Sequence, residues 1–118
     1  MAIIINTQSR DFTEVEQYLM TLDRGIKSLK DVEDNTIIAV AGYLTFTDEK
    51  ENGDSVDILS IITPDNEVFS CQSSTFKRSF DNITNIMHGK EFSVIKVSGT
   101  TKNGRPYIDC ALDVKSVK

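Results

Sequence analysis

Binding a nucleic-acid strand without reading its sequence takes flat side chains that stack on bases and cations that follow the phosphates. Both kinds gather near one end of this chain, as Lys96, Lys102, Arg105 and Tyr107. Tyr43 offers a second ring, with Phe69 in reserve, and Lys77 and Arg78 offer further charge. Each lysine or arginine taken alone is ordinarily a solvated surface charge. Lys77 and Arg78 fit that plainer reading, since they lie opposite Phe76 and Phe80 on a helical pattern. What sets the first group apart is its position around one turn, Lys102-Asn103-Gly104-Arg105.

Signatures of other chemistry are missing. The chain has no G-x-S-x-G, no P-loop, no H-E-x-x-H and no glycine-rich dinucleotide turn, so no enzyme and no cofactor is expected. Its two cysteines, Cys71 and Cys110, form no C-x-x-C pair and read as small buried side chains. With one histidine, His88, zinc is not expected either. Asp48-x-Lys50-x-Asn52-Gly53 begins like a calcium loop. Lys50, however, stands at a ligand position, and Leu59 stands where the bidentate glutamate belongs.

At 118 residues the chain suits one domain able to bury a core without staples. No apolar run approaches the ~20 residues of a membrane span, and Ala2-Ile3-Ile4-Ile5 is too short for a signal-peptide core. The expected location is therefore the cytoplasm where it is made, with no membrane partner. The net charge of −5 is unevenly spread. Residues 1–70 carry 5 basic against 14 acidic side chains, and residues 71–118 carry 8 against 4. A basic C-terminal half keeps nucleic acid open as a partner, because binding responds to the local field.

The elements that must position these residues follow from periodicity. After a short apolar segment, Val15, Tyr18, Leu19 and Leu22 have helical spacing, with Ser9 or Asp11 as cap and Gly25 as stop. Thr36 to Thr47 is the longest strand signal, apolar on both faces at first, with Gly42 marking a bend. Asn52-Gly53 reads as a two-residue hairpin turn leading to Val56–Thr63, which sets Phe46 against Leu59 and Leu44 against Ile61. Pro64-Asp65-Asn66 turns into a strand from Glu67 to Cys71; a three-residue loop puts Phe69 opposite Ile61 in the core, a two-residue loop puts it opposite Ile62 on the other face, and the first is preferred. Ser73 to Met87 is a helix with Phe76, Phe80, Ile83 and Met87 on one face, and Gly89 ends it. The strands Phe92–Thr100 and Arg105–Val114 are joined at Asn103-Gly104. A two-residue turn there pairs Val97 with Cys110 and Ile95 with Leu112 in the core. It leaves Lys96 and Tyr107 together on the outer face.

A long bent first strand, a three-strand meander, a helix and a closing hairpin describe a mainly β OB-fold. That is a five-stranded Greek-key barrel with a helix between strands 3 and 4. Residues 1–35 form an N-terminal extension with a helix, and residues 36–118 form the barrel of what is overall a single domain. The stretches Leu59–Ser70, Ser74–Phe80 and Val97–Cys110 resemble small single-stranded-DNA-binding proteins of Gram-positive phages and conjugative plasmids. The likeness covers about residues 36–114. It implies a sequence-tolerant single-stranded DNA-binding protein that coats or protects strands in replication or transfer. Single-stranded DNA, or RNA, would meet Tyr43, Phe69, Lys96, Lys102, Arg105 and Tyr107. Relatives with an acidic C-terminal tail recruit partners through it; here the last residues are Asp113-Val-Lys-Ser-Val-Lys, so recruitment by that route is not expected. Avidity along a strand favours a homo-oligomer joined through residues 1–35. The alternative is an OB-fold protein-interaction module, such as a phage or plasmid factor inhibiting a host protein with its acidic half.

Overall fold

Residues 2–117 are described by a computed structural model. They run through β1 (Ala2–Gln8), α1 (Glu14–Thr21), β2 (Lys27–Ser28), β3 (Ile37–Val40), β4 (Gly42–Glu49), β5 (Ser55–Ile62), β6 (Val68–Cys71), α2 (Ser74–Met87), β7 (Phe92–Thr100) and β8 (Pro106–Asp113). Short 3-10 turns follow β2 at Leu29–Asp31 and β8 at Val114–Ser116. The protein is mainly β. One sheet has the order β1-β4-β5-β6-β2 and the other β3-β7-β8, and together they make a barrel-like enclosure. Among the described residues, no helix is long and apolar enough to cross a membrane.

The bend expected at Gly42 is the joint between the sheets. Before it, β3 pairs antiparallel with β7; after it, β4 pairs with β5 and β1. Glycine is needed here for closeness. A Cβ on Gly42 would sit 2.8 Å from the Phe12 ring, inside van der Waals contact. The bend also splits one apolar face between two cores. Ile38 joins Leu59, Ile61, Phe69, Phe76, Phe80 and Val94 between the sheets and α2. Leu44 and Phe46 join Phe12, Met20, Ile62 and Val68 on the opposite side of the larger sheet. In the first core Phe80 meets Tyr43 edge-on, with ring centroids 4.9 Å apart, and packs near Phe76 and Phe92. Burying a phenylalanine contributes roughly 1.5–3 kcal/mol, so Phe76 and Phe80 alone make α2 part of the core.

Both Asn-Gly turns differ from the expectation, and for one reason. A two-residue type I′ turn needs positive φ at both central residues. Gly53 and Gly104 have φ of 90° and 80°, but Asn52 and Asn103 are not among the residues with positive φ. Each loop instead closes from its first residue. Gly53 N donates to Lys50 O and Lys50 N to Asp54 O; Gly104 N donates to Thr101 O and Thr101 N to Arg105 O. This is a type I turn with a glycine bulge, and it shifts the pairing by one residue. Phe46 therefore faces Ile58 and Leu44 faces Ser60, rather than Leu59 and Ile61. Lys96 faces Cys110 and Val94 faces Leu112. A one-residue slip exchanges the faces of a strand. In β7 the inward residues are Phe92, Val94 and Lys96, while Ile95 and Val97 are only half-buried. Cys110 is buried and Leu112 packs on the core, as expected. The Pro64 turn follows its expected register, with Ile61 opposite Phe69.

The N-terminal extension is woven into the larger sheet. β1 pairs antiparallel with β4, and β2 pairs parallel with Phe69 and Ser70 of β6. The cap of α1 is Thr13 rather than Ser9 or Asp11. Thr13 accepts from Glu16 N while the Glu16 carboxylate accepts from Thr13 N, a reciprocal capping box. The helix stops at Thr21, with Leu22 rather than Gly25 closing it. Val15, Tyr18 and Leu22 are exposed, at 69%, 51% and 48%, because this two-turn helix docks through Met20 and the preceding Phe12. β6 neighbours β5 and β2, and β8 neighbours only β7 among the described residues, so the ladder stays open between β6 and β8.

Three outcomes are expected. Gly42→Ala destabilises by about 1–3 kcal/mol in urea unfolding, because Phe12 must give way. The Arg10 guanidinium, then the Thr13 N–H, hold Glu16 at about 2 rather than 4.5. The stabilisation from Glu16 is thus complete above pH 4.5 and lost as pH falls from there through about 2; Glu16→Gln flattens stability across that window. Burial pushes the Cys71 thiol to about 11 and the Cys110 thiol to about 12. At pH 8 neither should react with a thiol reagent faster than the protein unfolds, as timed alkylation will show.

Candidate nucleic-acid interface

The β7–β8 hairpin carries four of the six residues expected to meet a strand, and its register divides them. Lys102 and Arg105 occupy the exposed tip, and neither enters an ion pair among the described residues. No acid lies between Thr101 and Tyr107. Tyr107, 39% exposed, stands opposite Gly99 on the outer face. A Cβ on Gly99 would meet the Tyr107 hydroxyl at 2.5 Å, so the ring lies across the glycine. The missing side chain lets the tyrosine lean over its own hairpin.

Lys96 does not share that face. It is 4% exposed and points inward, because the bulged turn shifted its strand by one residue. Its Nζ donates to Val32 O at 2.6 Å and to Asp34 Oδ1 at 3.1 Å. Ser98 Oγ donates to Asp34 Oδ2 at 2.6 Å. The Ser98 hydroxyl, then the Lys96 ammonium, hold the Asp34 carboxyl below the usual carboxylate range.

The remaining two rings belong to packing. Tyr43 meets Phe80 edge-on, and Phe69 is 6% exposed within the core between the sheets, with Lys27 Nζ 5.5 Å from its ring centroid. Phe69 offers no open face to a base, and Tyr43 is half-buried with its ring engaged by Phe80. Lys77 reaches back to Asp57 O at 3.1 Å, as a surface charge tying α2 to β5.

A cleft of about 760 Å³ opens where β6 and β8 fail to pair. One wall is Ser28, Lys30 and Asp31 at the end of the extension. The other is the hairpin, with Lys96, Ser98, Pro106, Tyr107 and Ile108. Ser70, Gln72, Ser73 and Ser74, around the start of α2, line its end. Ser73 caps α2 by accepting from Phe76 N. Lys30 is exposed, while Lys96 is already paired. The lining is rich in hydroxyls and carries Tyr107 at its rim, so it can hydrogen-bond base edges and phosphate oxygens. No three histidine, cysteine, aspartate or glutamate side chains gather to hold a metal ion among the described residues.

The sequence offered little sign of Ser28, Lys30 and Ser98. Serines carry no periodic signal, and the two walls come from opposite ends of the chain. The only clue to the Lys96–Asp34 pair is an acid-rich turn before β3, which is equally at home on a surface. No known family, curated protein or solved structure matches the chain.

Proposed function

We propose that the chain is an OB-fold protein that binds single-stranded DNA without sequence preference and coats or protects it during phage or plasmid replication or transfer. The observation that carries this reading is the uncompensated basic hairpin tip beside Tyr107, at the rim of a hydroxyl-lined cleft. The bent strand shared by two sheets, the helix between β6 and β7 and the final hairpin support the OB-fold assignment. In such a fold the loop between the last two strands flanks the ligand.

The extension narrows the route a strand can take. α1 packs over β5 and β6 and covers Ile62 and Val68, while β2 takes up the edge of β6. A strand would instead pass from the Lys102/Arg105 tip, over Tyr107, along the cleft toward Lys30 and Ser73. Self-association belongs to the same reading. β1 is an edge strand with no charged residue from Ala2 to Gln8, and Ile4 is 46% exposed. An unprotected edge of this kind favours pairing with another copy.

The test is titration of labelled oligo-dT at several salt concentrations, with duplex and oligo-rU competitors. Tyr107→Ala should weaken binding by about 1–3 kcal/mol, the range for one stacked base. Lys102→Ala or Arg105→Ala should each lower the salt slope by about 0.7, one single-strand phosphate contact. Gly99→Ala should weaken binding while keeping the tyrosine, because it displaces the ring. A folded wild type that retains no oligo-dT would move the reading to a protein-interaction module. Light scattering that finds a monomer with and without DNA would remove self-association.

A further inference from the structure

A lysine on the inner face of a hairpin needs a reason, since an ammonium is rarely buried without a partner. Lys96 is 4% exposed, yet it and Ser98 line the cleft. Their donors converge on the two oxygens of one carboxylate, Nζ on Oδ1 at 3.1 Å and Oγ on Oδ2 at 2.6 Å. Two donors arranged around two oxygens of one anion suit a phosphate as well as a carboxylate. We propose that Lys96 and Ser98 form a phosphate seat at the edge of the cleft, and that Asp34 fills it from within the chain until a strand displaces it.

Three features of the surroundings support an exchange of occupants. Asp34 is not locked into the core: its side chain is 49% exposed, against 5% for that of Lys96. It stands in the acidic turn Asp31-Val32-Glu33-Asp34, immediately before Asn35, whose φ of 71° marks a tight reversal. When the carboxylate leaves, Lys96 keeps Val32 O at 2.6 Å, so the ammonium retains an acceptor during the exchange. A buried cation left alone is strongly disfavoured, so the seat is stable only when occupied. Asp34 thereby neutralises Lys96 in the empty protein and competes with a phosphate of the bound strand. This inference rests on the single-strand reading for its occupant, but the seat itself is anion chemistry.

The experiment compares wild type with Asp34→Ala and Asp34→Asn, the latter keeping an uncharged acceptor near Lys96. Asp65→Ala serves as control; it removes one exposed acid from the turn between β5 and β6, at the far end of those strands from the cleft. Folding is checked by circular dichroism and thermal melting. Asp34→Ala should bind oligo-dT several-fold more tightly, with a salt slope steeper by about 0.7, one added phosphate contact. Asp34→Asn should fall between it and wild type. Adding Lys96→Met to Asp34→Ala should abolish the gain. Inorganic phosphate provides a readout free of DNA: the amides of residues 96–98 should shift on titration in Asp34→Ala and not in wild type.

If the folded Asp34 variants bind oligo-dT no better than Asp65→Ala, and phosphate leaves those amides unmoved, the seat does not exist. If phosphate moves them but no variant binds oligo-dT, the seat stands and the single-strand reading falls. If oligo-dT binding tightens without dependence on Lys96, the gain is general charge repulsion and the proposal is overturned.

Discussion

Everything in this structure hangs on one strand that belongs to two sheets. Ile37–Val40 is paired to β7 and Gly42–Glu49 to β5, so the sheets are held in register by a continuous backbone turning at Ala41. That turn requires the Phe12 ring and the Gly42 backbone to touch. The same contact fastens the N-terminal extension to the sheet, which closes the second core beneath Leu44 and Phe46. One missing Cβ therefore couples the angle between the sheets, the seating of α1 and the placement of the acidic turn that reaches the cleft.

The elements were legible because their signals are local. α2 is written in the spacing of Phe76, Phe80 and Ile83, and the bend in Gly42, whereas the Pro64 loop allows Phe69 to face Ile61 or Ile62 and only the structure decides for Ile61. The face of β7 was not legible. Asn-Gly serves both a two-residue turn and a glycine-bulged turn, and the choice shifts pairing by one position. Nothing in the flanking residues of β7 settles it, since Val94 and Ile95 are both apolar and either can face inward. β1 was equally hidden, because an uncharged run of isoleucines becomes a strand only when a partner edge exists. That edge, β4, lies far along the chain.

Lys96 shows how this limits a reading of the site. Its residue type argues for the surface, and one residue of register carries it indoors, 62 positions away from the acid that neutralises it. Burial then changes what the charge can do. An exposed lysine adds to a diffuse field that salt screens, whereas a lysine inside a cleft acts at fixed distance on one anion. The exposed pair Lys102 and Arg105 suits attraction at long range, and the buried Lys96 with the Ser98 hydroxyl beside it suits contact. Lys102 and Arg105 sit at the hairpin tip, Lys96 and Ser98 lie farther along β7, and Tyr107, opposite Gly99, lies between.

The joint at Ala41 also governs the order in which the chain can assemble. β4, β5 and β6 are neighbours in sequence and space, and so are β7 and β8, so these two units close short loops and form early. β3 has no hydrogen-bonded strand until β7 exists. On a ribosome, where the N-terminal half emerges first, Ile37–Val40 must wait unpaired through the synthesis of the meander and α2. Completion of the smaller sheet is therefore the strand pairing that spans the longest stretch of chain among the described residues, the kind of non-local contact that slows folding.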